Sequence, residues 1–170
     1  MKHILGVLVE NNPGVLSKVS GLFSRRGFNI DSWAVGVTEN PAISRMTIVV
    51  EGDRYIVEQV TKQLNKLIEV IKVENISQTS VVRELALIKV NAVNSTRNEV
   101  MQIASVFRAN IVDISKNYLT IEITGDDQKI SALVEMLDEF GIKEMVRTGI
   151  IAMDRGDKMI RANNINIEEE

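Results

Sequence analysis

Apolar periodicity in this chain spells the same order of elements twice: strand, helix, strand, strand, helix, strand. Few folds accommodate that order. In the first half, Ile4 to Val9 is apolar on both alternating faces and suits a central strand buried on two sides. Val15, Leu16, Val19, Leu22 and Phe23 recur at steps of three and four, which predicts a helix from Pro13 to about Arg26 stopped by Gly27. Phe28 to Thr38 reads as a strand whose phase slips between Ile30 and Trp33, so a bulge is expected there. After the turn Glu39-Asn40-Pro41, Ile43 to Glu51 places Met46, Ile48 and Val50 on one face and Arg45, Thr47 and Glu51 on the other. Asp53 is placed to cap a helix carrying Ile56, Val57, Val60, Leu64 and Leu67, and Val70 to Ile76 follows as a fourth strand.

The second half repeats the scheme. Glu84 to Ala92 is strand-like. Thr96-x-x-Glu99 has the form of a capping box ahead of Val100, Ile103, Ala104 and Phe107. Asn110 to Ser115 and Tyr118 to Thr124 flank a Lys116-Asn117 turn, where Asn117 can take a positive φ and make a tight hairpin. Asp126 or Asp127 caps a helix with Ile130, Leu133, Val134 and Leu137 inward, and Gly141 stops it. Lys143 to Met153 is the last strand expected.

The fold class expected is therefore α+β, with two ferredoxin-like βαββαβ modules joined near Ser77 to Val82. The division runs 1–78, 79–158, and a polar tail over 159–170 ending in three glutamates. Two helices per module cover one face of each sheet. The apolar first strand then needs another cover, either the other module or a second copy, and a homodimer with sheets joined or stacked is expected.

Composition narrows the function. No cysteine is present, so there is no thiolate nucleophile, disulfide or cysteine metal site. His3 is the sole histidine, so catalytic and metal residues are both expected to be none. A net charge of -3 lacks the basic footprint of a nucleic-acid binder. The Ile43 to Val50 strand carries no aromatic on which a base would stack, and Trp33 stands alone on the second. No apolar run approaches the ~20 residues of a membrane span, and Ile4 to Val9 is too short for a signal-peptide core. A cytoplasmic protein is expected. Arg25-Arg26 fits a phosphate or a carboxylate, or simply complements the end of its helix.

One stretch remains, Glu10-Asn11-Asn12-Pro13-Gly14-Val15-Leu16. Asn12 reads as an N-cap and Pro13 as the first helical residue. Gly14 lets the backbone approach anything lying over the helix start, and free N–H groups there attract an anion. The plainer reading is a capped strand-to-helix turn. Asn29, at the start of the next strand, could face Asn11 to Gly14 of a second copy, or could simply be a turn residue.

Taken with Gly21-Leu22-Phe23-Ser24-Arg25-Arg26-Gly27-Phe28-Asn29-Ile30, that stretch resembles an ACT domain, a small module that binds amino acids. Ile43-Ser44-Arg45-Met46-Thr47-Ile48, Arg83 to Val90, Ile121 to Gly125 and Arg147-Thr148-Gly149-Ile150 extend the resemblance, in this order, to the small regulatory subunit of acetolactate synthase over about Met1 to Arg155. The resemblance implies a chain without catalysis of its own, bound to a large catalytic subunit that holds thiamine diphosphate, magnesium and FAD. It implies that the chain raises that subunit's activity and confers inhibition by valine in branched-chain amino acid synthesis. Valine would sit between two first modules, against Asn11, Gly14, Val15, Leu16, Asn29 and Ile30, while the second module meets the catalytic subunit. The alternative is a free-standing ACT-type sensor with another client.

Overall fold

The computed structural model describes residues 1–76 and 78–162. The polar tail expected over 159–170 therefore lies mostly outside the described residues. The chain divides into two compact units. The first joins Met1–Val81 to the described residues from Ile150 on, and the second is Val82–Gly149.

The first unit holds β1 (Lys2–Glu10), α1 (Val15–Arg26), β2 (Ile30–Val37), β3 (Ile43–Glu51), α2 (Arg54–Leu64) and β4 (Val70–Asn75). Its antiparallel sheet has the order β2-β3-β1-β4, with β2 and β4 at the edges. Leu5, Val7 and Val9 of β1 and Met46, Ile48 and Val50 of β3 join Val19 and Phe23 of α1 and Val60 and Leu64 of α2 in one buried core. The expected slip in β2 is present as a register shift between Ile30 and Ser32. Gly27 ends α1 at φ 66°, and its N–H bonds back onto the last turn. Asp53 caps α2, its Oδ1 accepting from the Ile56 N–H at 2.9 Å.

The second unit holds β5 (Val81–Asn91), α3 (Arg97–Val106), β6 (Asn110–Ile114), β7 (Tyr118–Gly125), α4 (Asp127–Asp138) and β8 (Ile142–Arg147). Its sheet runs β6-β7-β5-β8. Ala86, Ile88 and Val90 of β5 and Leu119, Ile121 and Ile123 of β7 pack on Val100, Ala104, Ile130, Leu133 and Leu137. Asp126, of the two acids considered, caps α4 by accepting from the Lys129 N–H at 2.9 Å.

Three local expectations in this unit need correction. Thr96 occupies the N-cap of α3, but its side chain makes no cap bond, and its hydroxyl instead donates to the Val93 carbonyl. The β6–β7 hairpin closes without a left-handed Asn117. Ser115 Oγ accepts the Tyr118 N–H at 3.2 Å, and the Arg97 guanidinium donates to the carbonyls of Ser115 and Lys116. A side chain from another element fixes that turn. The last strand, expected over Lys143 to Met153, breaks after Arg147, because Gly149 takes φ 82°, and resumes as β9 (Ile151–Met153).

The chain beyond the break packs on the first sheet. Facing away from the helices are Leu8 on β1, Ile43 and Val49 on β3, and Ile76, all buried. Residues 150–162 run across this face as a strap. The Ile150 N–H donates to Ser32 Oγ at 2.8 Å, and Arg45 Nη2 donates to the Ala152 carbonyl at 2.8 Å. A Cβ added at Gly6 would overlap the Ile160 Cδ1. The sheet face that seemed to need another copy is covered here by the chain's own return.

Candidate effector site

The end of β1 is held on both sides. The Glu10 N–H donates to the Glu69 carbonyl at 2.9 Å, and the Asn11 N–H to the Ala42 carbonyl at 2.8 Å. Asn11 Nδ2 donates to the Pro41 carbonyl at 2.8 Å, which fixes its amide against the β2–β3 hairpin. Asn12 does not cap α1. Its Nδ2 donates to Glu10 Oε2, and Gly14 is the N-cap, with no side-chain bond. Gly14 has φ 86° and ψ −9°, while the Val15 N–H reaches the Asn12 carbonyl at 3.4 Å. With proline second and glycine third, Asn12 to Val15 is a type II turn. Proline therefore sets the turn rather than opening the helix.

This geometry leaves the helix start uncovered. The Lys18 N–H donates to the Gly14 carbonyl at 3.0 Å, so α1 proper begins there. The amides of its first turn have no intrahelical acceptors, and the N-cap Gly14 has no side chain to supply one. Lys18 bonds Glu69, and that contact holds the Glu69 carboxyl below its ordinary pKa. Val15 is buried in the core and its N–H closes the turn onto Asn12, whereas Leu16 is half exposed.

Asn29 and Ile30 lie at the other end of the same sheet. Ile30 pairs with Val50, which pairs with His3, whereas Glu10 pairs with Ile43. Seven strand residues separate the two ends, about 24 Å at ~3.4 Å each. One chain thus gathers Asn11, Gly14, Val15 and Leu16 but not Asn29 and Ile30. Ile30 packs against the first core, and Asn29 is exposed. On β2, an edge strand, Val35 and Val37 are exposed, and Trp33 Nε1 is buried without a partner among the described residues. Sequence reasoning missed Lys18 and Glu69, for no spacing announces a pair so far apart along the chain.

A β2-β3-β1-β4 sheet with both helices on one face, and an uncapped glycine turn leading into the first helix, defines an ACT-type module. A family model described as the AHAS small subunit-like ACT domain matches residues 5–72, and one described as the small subunit of acetolactate synthase matches residues 83–156. The chain is 58% identical to the probable acetolactate synthase small subunit of Archaeoglobus fulgidus over 93% of this chain and 99% of that one. It is 54% identical to the acetolactate synthase small subunit of Mycobacterium leprae over 93% and 94%. It superposes on the crystal structure of the acetolactate synthase small subunit from Thermotoga maritima with a TM-score of 0.88 and 43% identity, over 93% of this chain and 99% of that chain. The chain belongs to the acetolactate synthase small subunits.

Proposed function

We propose that this chain is a valine-responsive regulatory subunit. It binds the separate catalytic subunit of acetolactate synthase, raises its activity, and transmits feedback inhibition. Thiamine diphosphate, magnesium and FAD belong to that catalytic subunit, and the chain described here does no chemistry. It works in the cytoplasm. Among the described residues no helix is long and apolar enough to cross a membrane.

The observation that carries the reading is the uncapped turn at Asn12 to Val15, at the opposite end of the sheet from Asn29. Two copies paired antiparallel along edge strand β2 would set the start of one β2 beside the end of the other. Asn29 and Ile30 of one copy would then face Asn11 and Gly14 of its mate. The valine carboxylate would take the first-turn N–H groups, the two asparagines its polar end, and Leu16 and Ile30 its side chain. Exposed Val112, Ile114 and Val146 on the second unit supply an apolar surface for the catalytic subunit.

A valine titration of the reconstituted enzyme tests the reading. Gly14→Asp places a carboxylate where the ligand carboxylate would lie. It should keep activation and lose inhibition, and Asn29→Ala should do the same more weakly. Unchanged inhibition with Gly14→Asp would move the site elsewhere. Failure of the wild-type chain to co-purify with a catalytic subunit would favour a free-standing sensor.

A further inference from the structure

Between the strap and the sheet of the first unit lies a cavity walled on one side by Val37 to Asn40 of the β2–β3 hairpin. Its volume is about 540 Å³, within the size range of small-molecule sites. Leu8, Ile43 and Arg45 of the sheet form its floor, and Met153, Ile160 and Arg161 of the strap form its roof. Gly6 leaves room for the tip of Ile160, whose Cδ1 lies where a Cβ would stand.

Arg45 is unusual in this setting. It is partly buried in the middle of a sheet, and burial lowers its pKa, with Asp154 and Glu74 opposing. Among the described residues its guanidinium makes one hydrogen bond, to the Ala152 carbonyl, out of five N–H donors. The two acids nearby are already bridged to lysines, Glu74 to Lys72 at 2.7 Å and Asp154 to Lys158 at 3.1 Å. Arg45, Lys72 and Lys158 thus share two carboxylates. Arg161 adds another positive charge on the roof, and Glu39 sits on the same rim. A partly buried cation with unused donors, facing an apolar wall, is matched by an anion with an aliphatic body.

We infer that this cavity binds a small aliphatic carboxylate, held by Arg45 and Arg161 with its hydrocarbon against Leu8, Ile43 and Ile160, and that the ligand pins the strap to the sheet. The site lies within one chain and needs no second copy. It borders the effector turn through the β2–β3 hairpin, since Thr38, Glu39 and Asn40 line the cavity and Asn11 bonds the Pro41 carbonyl, but it uses none of the residues assigned to valine.

Isovalerate is a suitable probe, because it has the carboxylate and the branched body but no ammonium. Calorimetry on the full chain should show saturable binding of isovalerate. Arg45→Gln should weaken it roughly tenfold or more, the loss expected for a charge-assisted contact. Arg161 is exposed, so Arg161→Gln cannot fail for want of folding, and it should weaken binding as well. Gly14→Asp should leave it unchanged. Saturating isovalerate should slow tryptic cleavage after Arg155 and Lys158 in the wild type but not in Arg45→Gln. No saturable heat with the wild type would overturn the inference. So would binding that survives Arg45→Gln and Arg161→Gln but disappears in Gly14→Asp, which would assign isovalerate to the effector turn instead.

Discussion

At the scale of single residues, backbone conformation decides more than residue type. Gly14 at φ 86° sits where an L side chain costs ~1–2 kcal/mol. Gly14→Ala should therefore lower stability by about 1 kcal/mol, after allowing for the smaller unfolded-state entropy of alanine. Urea denaturation would measure it. Gly14→Asp should carry a similar loss, so its loss of valine inhibition must be read in protein shown to be folded. The Lys18–Glu69 pair makes a pH prediction. Glu69 has a lowered folded-state pKa, so its contribution is present above the ordinary carboxylate pKa and is lost as pH falls through the folded value. Lys18→Met should be less stable than the wild type at neutral pH, and the difference should shrink on acidification. A gap that holds constant through the acid range would remove the pair from the account.

At the scale of elements, the caps and one ion cluster around a buried carboxylate separate positions that look alike in sequence. Asp53 caps α2 through a side-chain bond, whereas Asn12 caps nothing. Asp53→Ala should cost about 1 kcal/mol and Asn12→Ala markedly less, by thermal or chemical denaturation. Arg147 at the end of β8 bridges Glu84 at 2.8 Å and Asp127 at 2.9 Å. Glu84 is buried while Arg147 is partly exposed, so Arg147→Met leaves a carboxylate without its cation and should destabilise by ~2 kcal/mol. Adding Glu84→Gln should restore part of that loss. If the double variant is no more stable than Arg147→Met, the cost lies in packing and not in the stranded charge.

At the scale of the molecule, the first unit is completed from the far end of the chain. A fragment ending near Ser80 keeps β1 to β4 but loses the cover over Leu8, Ile43, Val49 and Ile76. It should aggregate or self-associate. A version in which residues 82–149 are replaced by a flexible linker should stay soluble, since it retains the strap. Sedimentation velocity on both would decide, and a well-behaved short fragment would show that the strap is dispensable. Gly6→Val should lift Ile160 from its seat and speed tryptic cleavage at Arg155 and Lys158 while leaving the helix-side core intact.

Periodicity and residue type within a few positions determined the two βαββαβ orders, the bulge in β2, the stop at Gly27 and the cap at Asp53, and narrowed the cap of α4 to Asp126 or Asp127. Each of these rests on forces acting within a few residues. The turn Asn12 to Val15 was legible as a turn with an open helix start, but its capping residue was not. Proline and glycine fit both the first helical position and a type II turn, and only the contacts around them choose. Three features were decided by tertiary structure. Arg97 closes a hairpin that lacks its left-handed residue, and Gly149 diverts what reads as one strand. Residues 150–162 return to a sheet more than seventy residues behind them in the chain. At Gly6 on β1, the Ile160 Cδ1 occupies the place where a Cβ would stand. Such pairings follow from shape and burial between distant segments, and no local pattern in the chain encodes them.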